Sequence, residues 1–493
     1  MNSNAGLTRE IGLKEAITLT VGTVIGVGLF TVGSNVVGTL GKLTLLATFV
    51  ALLVSVYPAL IYGEMAAALP REGGTYHYAK KSMGTFWGMQ AGWSFIISLI
   101  AVASGEALAF AFYLKTLFEA IGLPLTLDDR IIAGIAIALF IGINYRGVKF
   151  SGKIQNGLMF FFWGVAVVWA ISMIGHINWD YYQAVVPIGG ETGVTIATFI
   201  TMTGLVWWCF AGFETCCAMG SEIRFPHINI PRALILAPFI IFTVTSIFQW
   251  FLIGIMTPAD LHILVDADAP YAVAMKHAGI LGFPLILLCL GITFGGDFST
   301  MNPAIAAPAR YLFTMAKDGV LPKFFAQVHP KFHSPYVAII FLGIVVIALI
   351  STNSIIFIAS LSLFADLFYY LIGLLASIFL RIRQPDLRRP FKLKGLIPAA
   401  VFSIVVYLIL MSQLDRDAFY TGAIWCVIGA LIYLYVKSRN LIVTTSASAD
   451  QQVLVEPTDE EKKSLDKEFK CWRNIVFTIF VAVLALYIYS CLL

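Results

Sequence analysis

Gly22-Thr23-Val24-Ile25-Gly26-Val27-Gly28-Leu29-Phe30 interrupts an apolar run that extends from about residue 15 to residue 40. That run is longer than the ~20 residues a helix needs to cross the hydrocarbon core of a bilayer. Glycine at mid-depth lets the backbone leave the helix, and in lipid the freed N–H and C=O groups are tolerable only where they line a protein cavity. A second interruption, Trp208-Cys209-Phe210-Ala211-Gly212-Phe213-Glu214, lies within the run 194–222. Two broken spans, one early and one near mid-chain, are the pattern of secondary transporters built from inverted repeats. Taken alone, Gly22-x-x-x-Gly26 fits close helix packing equally well, as small-xxx-small patterns do in membranes. The pair of breaks favours the cavity.

Composition points the same way. Of the 493 residues 59% are hydrophobic and 12% charged, and mean hydropathy is +0.87, far from a soluble domain at about 25% charged. The net charge of +4 gives no support to a nucleic-acid partner. Apolar runs fall near 15–40, 43–69, 86–118, 131–145, 154–175, 194–222, 232–256, 279–303, 336–351, 355–380, 397–412 and 419–436, with one more at 474–493. The polar start, Met1 to Glu10, and the length of the first run argue against a cleavable signal peptide. The seven cysteines have no metal-ligand spacing with histidines and read as small buried hydrophobes, with no metal or cofactor implied. The seven histidines fall in loops or at span ends.

Lysine and arginine set the expected orientation. With the N-terminus inside, only Lys42, Lys115, Arg130, Lys276 and Arg416 lie outside, five of the 32 basic residues. The cluster Arg381 to Lys394 and the tail Lys437 to Arg473 then lie inside, whereas Asp180, Glu191, Asp260, Asp266 and Asp268 lie outside. Expected segments are an N-terminal cytoplasmic piece (1–14), a twelve-helix core (15–436), a cytoplasmic linker (437–473) and an additional transmembrane helix (474–493). The linker is polar apart from the short Val453–Val455 run and reads as flexible or helical. The last helix would place the C-terminus outside. No N-x-[ST] glycosylation acceptor is present.

The half-helix that starts at a break offers free N–H groups and a positive dipole end to a carboxylate. The half that stops there offers carbonyls to an ammonium. An α-amino acid carries both groups.

Ile25-Gly26-Val27-Gly28-Leu29-Phe30 resembles the G-[SA]-G-[IV]-F signature of the amino acid–polyamine–organocation (APC) superfamily. Glu64 followed by Pro70-Arg71-Glu72-Gly73-Gly74-Thr75-Tyr76-His77-Tyr78 is similar to the family's acid and P-x-x-G-G-x-Y-x-Y. Gly212-Phe213-Glu214, then Glu222, Pro226 and Ile230-Pro231-Arg232-Ala233, resembles its sixth helix and exit loop. Arg310 to Pro322 resembles R-x-L-x-x-M-A-x-D-G-x-L-P, and His329-Pro330-Lys331 with Pro335 continues it. The likeness covers residues 10–436.

The resemblance implies an all-α, LeuT-like 5+5 inverted repeat (about 15–175 and 194–380) with two further core helices (about 397–436). By likeness to the arginine/agmatine antiporter, it implies a substrate-binding segment at Gly26, Val27 and Gly28 in which the N–H groups of Val27 and Gly28 hold a substrate carboxylate. Val24, Trp208 and Ala211, beside Gly212, would present carbonyls to the amino group. Trp208 would be an aromatic lid and Glu214 a residue coupling binding to gating.

This chain departs from the pattern in three places. Val27 stands where serine is common, which leaves only backbone contact. The lysine that many relatives carry seven residues after a glutamine is replaced, counting from Gln155, by Phe162, which weakens a lysine-based coupling mechanism. Residues 116–131 lack the cysteine that links some eukaryotic relatives to a heavy chain. No sodium site is suggested.

An acid in hydrocarbon is costly unless paired or lining a cavity. Glu106 in the third run and Asp297 in the eighth join Glu214 as gating or coupling candidates. Glu64 reads as a structural or gating pair, and Asp366 mainly as structural. Trp207 faces lipid or a neighbouring helix.

The expected function is carriage of an amino acid or related amine by exchange or with protons. The rival is a polyamine or other organic cation held by intramembrane acids. A membrane enzyme finds no support, since HExxH, GxSxG and paired His/Asp motifs are missing from the sequence. A non-transporting sensor is disfavoured by the intactness of both breaks.

Overall fold

The computed structural model describes residues 9–184, 186, 193–351, 355–414, 416–439, 441 and 455–492. Met1–Thr8, Glu191, Val453, Leu454 and Leu493 lie outside the described residues. All named elements are helices, joined among the described residues by two isolated β-bridges, Ile11–Ile223 and Glu72–Met219.

The first span is broken into α1 (Leu13–Gly22) and α2 (Gly33–Leu40), with a π-helical turn at Gly28–Val32. Then follow α3 (Leu43–Ala68), the short α4 (Gly74–Met83), α5 (Thr85–Ala120), α6 (Asp129–Tyr145), α7 (Val148–Met173) and α8 (Asp180–Gln183). The sixth span is broken into α9 (Ile196–Trp208) and α10 (Thr215–Ala218), followed by α11 (Pro226–Ile255) and α12 (Pro270–His277). The eighth runs through α13 (Phe283–Gly291), a π-helical turn at Ile292–Asp297 and α14 (Phe298–Lys317). The rest are α15 (Tyr336–Ile350), α16 (Ile355–Arg383), α17 (Leu396–Ser412), α18 (Arg416–Ser438) and α19 (Asp459–Leu492).

Each of the thirteen apolar runs coincides with helix, and eight helices are long and apolar enough to cross a membrane unaided. Burial separates axis from rim. The most apolar window of α5 is 89% buried, against 17% in α18 and in α19. A helix that is hydrophobic all round and buried belongs at the centre, whereas exposed Ile171, Val427 and Leu431 form surface suited to lipid.

The last helix begins at Asp459 rather than Asn474. The cause is a capping box: Thr458 N–H donates to Glu461 Oε2 (3.0 Å) and Glu461 N–H to Thr458 Oγ1 (3.3 Å). The polar first half then reaches the core through ion pairs, Asp466 with Arg232 and Glu461 with Arg224.

Candidate functional site

The first break bends where the sequence is richest in small residues. After α1, Val24 N–H donates to Val21 O and Gly26 N–H to Val24 O, so the ladder tightens and then stops. The released carbonyls of Gly22 and Ile25 accept from Thr300 Oγ1 of α14 at 2.7 and 3.1 Å. Gln155 of α7 fills the space beside Gly22, donating from Nε2 to Thr18 O (3.1 Å) and Ser299 O (3.0 Å). The chain re-enters helix through the π turn, a device that recurs at functional sites.

The second break is built differently. Gly212 sits at φ +95°, a region that other residues rarely adopt. Its N–H donates to Tyr370 Oη (2.9 Å), and Tyr370 in turn donates to Glu214 Oε2. Glu214 is thus held by a phenol of α16, among the buried tyrosines Tyr62, Tyr369 and Tyr370. The breaks touch directly, since Cys209 Sγ donates to Gly28 O at 2.9 Å.

Between them lies a cavity of about 20 Å³ lined by Thr23, Val24, Gly28, Glu106, Trp208, Ala211, Gly212 and Asp366, among others. That is room for about one water. Trp208 is fixed by Nε1 donating to Ser362 Oγ (3.1 Å), and Asp366 accepts from Ser98 Oγ (2.5 Å) and Ser362 Oγ (3.3 Å). The carbonyl of Trp208 already accepts from Ala211 N–H, and that of Val24 from Gly26 N–H, which leaves each its second lone pair.

Glu106 occupies the place that sequence reasoning reserves for a substrate carboxylate. Its Oε1 accepts from Val27 N–H at 2.9 Å. A Cβ built on Gly26 would lie 2.2 Å from Glu106 Oε2, so glycine there is what admits the carboxylate. Asp297, the last residue of the second π turn, has its carboxyl beside that of Glu106. Both acids are buried, and neither Glu106 Oε2 nor either oxygen of Asp297 has a donor among the described residues unless the two acids share a proton.

The remaining sequence candidates fall into place around this centre. Phe162 is buried between Phe30 (5.8 Å, edge-on) and Phe248 (6.1 Å, stacked), an aromatic plug with no charge. Trp207 is buried against Tyr407 of α17 rather than facing lipid. Glu64 accepts from Arg381 Nε (2.7 Å) and Nη2 (2.6 Å) and from Leu393 N–H (2.7 Å). Cys209, Cys216, Cys217 and Cys289 are buried free thiols, and Cys471 is exposed. Sequence reasoning missed Cys209, Ser98, Ser362 and Tyr370 as parts of the site. Ser362-x-x-x-Asp366 did carry a signal, two polar residues one helical turn apart in an apolar span.

The chain's N-terminal face is closed below the cavity. Arg310 of α14 grips Glu222 with Nε (2.9 Å) and Nη2 (3.0 Å), both side chains fully buried. The backbone carbonyl of Glu222 accepts from Glu10 and Ile11 N–H, which straps the N-terminal segment across the exit of the sixth span. On the other face Asn35 Nδ2 donates to Leu264 O (2.5 Å) and Ala267 O (3.2 Å).

An all-α polytopic membrane protein whose two broken spans meet at one small cavity has the architecture of the LeuT-like carriers. The chain belongs to the amino acid permease family of the APC superfamily, whose match covers residues 11–436. It is 28% identical to an uncharacterized transporter of Mycobacterium tuberculosis over 403 residues, 81% of this chain and 87% of that protein. A methylthioribose transporter of Bacillus subtilis is 25% identical over 458 residues, 90% of this chain and 96% of that one. The branched-chain amino acid permease BcaP of Bacillus subtilis is 24% identical over 451 residues, 88% and 94% of the two chains.

Proposed function

We propose that this protein is a secondary active transporter that carries an amino acid or closely related amine by alternating access, as an exchanger or with protons. The observation that carries this reading is the cavity bounded by backbone from both breaks and by the carboxyl groups of Glu106 and Asp366. Trp208 covers it, and the second lone pairs of the Val24 and Trp208 carbonyls, with Asp366, offer an ammonium group its acceptors. A cavity of about 20 Å³ holds no such solute, so this is a closed state, and Trp208 with the two broken spans must move to admit one. Glu214, tied to Gly212 through Tyr370, links the cavity to the sixth span's exit. The lysine and arginine distribution supports an N-terminus on the cytoplasmic side and, with α19 crossing, a C-terminus outside.

A second reading is favoured by one contact. With Val27 N–H already held by Glu106, an organic cation without a carboxylate could bind while Glu106 stays in place. Uptake into proteoliposomes, pairing each amino acid with its decarboxylated amine, with and without an inward proton gradient, separates the two. Preference for amino acids supports the first reading and preference for amines the second. No flux of either class under any gradient overturns transport itself.

A further inference from the structure

Glu106 and Asp297 share a burial without a cation. They lie on α5 and at the end of the π turn before α14, with relative exposures of 1% and 0%. The groups facing them are the backbone of the first break, Tyr113 of α5 and, across the cavity, Asp366 of α16. No lysine, arginine or histidine among the described residues acts on either acid. Two adjacent carboxylates in such a place cannot both stay ionised, and three of their four oxygens lack a donor other than the partner acid. One proton held between them supplies the missing hydrogen bond.

We propose that the Glu106–Asp297 pair is a proton-carrying site in which Glu106 acts as a built-in stand-in for the substrate carboxylate. This rests on the transporter reading above. In the closed state the pair holds one proton, and ionised Glu106 accepts from Val27 N–H. Loading requires a second proton from the aqueous side that the cavity faces. That proton converts the Glu106 carboxylate to the neutral acid, which releases Val27 N–H to the carboxylate of an entering amino acid. On the opposite side the amino acid leaves, Glu106 returns its proton to water, and its carboxylate takes back the N–H. One proton thus moves with one zwitterion in the same direction, and no other reactant is consumed. Gly26 is part of the device, because any side chain there would occupy the space of Glu106 Oε2.

The test uses the full-length protein in proteoliposomes with a pH-sensitive dye in the lumen and an equimolar mixture of radiolabelled proteinogenic L-amino acids outside. Wild type is expected to acidify the lumen as label enters. Glu106→Gln is expected to lower the lumenal acidification measured per label that enters. Entry of label into wild-type vesicles without acidification, or acidification per label that is undiminished in Glu106→Gln, overturns the proposal and leaves the transporter reading standing. A second measurement does not depend on flux. Infrared spectra of the purified protein without substrate should show a protonated-carboxyl band that is lost in Asp297→Asn and moved in frequency in Glu106→Gln, where Asp297 keeps the proton beside an amide. Survival of that band unchanged in both variants overturns the shared proton even if no amino acid moves. Asp297→Asn also serves where Glu106→Gln fails to fold.

Discussion

The protein buries two kinds of acid. Glu222 and Glu64 lie at the N-terminal face, each gripped by a guanidinium fork, from Arg310 and from Arg381. Glu106 and Asp366 line the cavity, Asp297 lies beside Glu106, and among the described residues these acids meet backbone N–H, serine hydroxyls, the Trp208 indole and one another but no cation. The first kind is complete: charge, geometry and hydrogen bonds are satisfied within the chain. The second kind leaves something to be supplied, whether a proton or the ammonium group of a solute. Acids of equal burial therefore differ in what they are for, and the presence of arginine tells them apart.

The largest effect tests the complete kind. Arg310→Gln strands Glu222 as an uncompensated buried charge, for which the expected loss is about 3–5 kcal/mol. Thermal unfolding in detergent would read this as a collapse of folded yield. The double variant Arg310→Met with Glu222→Gln should recover much of it, since the cost lies in the unpaired charge. Wild-type stability in Arg310→Gln would erase the distinction between the two kinds of acid.

Gly26→Ala comes next. Its Cβ would fall 2.2 Å from Glu106 Oε2, and overpacking of a tight interior costs about 1–3 kcal/mol. The methyl group should push Glu106 off Val27 N–H, lowering both thermal stability and uptake. An alanine variant with unchanged uptake would show that the Glu106–Val27 contact is dispensable. Glu106→Gln follows with a smaller expected effect on stability, within about 1 kcal/mol of wild type, because a neutral amide needs no second proton and leaves no partner cation stranded. A melting loss like that of Arg310→Gln would move Glu106 into the structural class.

The scaffold was largely legible in the sequence, because bilayer thickness forces long apolar runs and glycine breaks stand out within them. All thirteen runs became helical, three of them in two pieces, although the start of α19 was set by the Thr458–Glu461 capping box rather than by hydropathy. Glu106 and Asp297 were visible as acids at depth, but their meeting was not. It depends on a π turn that rotates Asp297 toward α5, and π turns leave no clear mark in side-chain periodicity. Cys209 and Tyr370 were silent for a similar reason: in an apolar run each reads as packing, and only the fold brings a thiol to Gly28 O or a phenol to Gly212 N–H.

The smallest effect concerns an acid between the two kinds. Glu72, on the same face as Arg310, meets Lys317 Nζ at 3.3 Å, but the lysine side chain is 52% exposed and the glutamate 15%. Burial pushes the Glu72 carboxyl up, yet the Lys317 ammonium and its own backbone N–H outweigh it, so the group sits below its ordinary value. A lowered folded-state value means that the pair stabilises above the unfolded carboxylate range, near about 4.3. The contribution fades as pH falls through the folded value. Exposed pairs are worth about 0–1 kcal/mol and are screened by salt. Lys317→Met should therefore lower the melting temperature slightly at neutral pH and low salt. The gap to wild type should close both in high salt and as pH falls through the lowered folded value of Glu72. Melting curves of the two proteins across pH would check the sign. A loss as large as that of Arg310→Gln, or one that grows on acidification, would mean that burial is not what separates a pair that holds the face shut from one that merely decorates it.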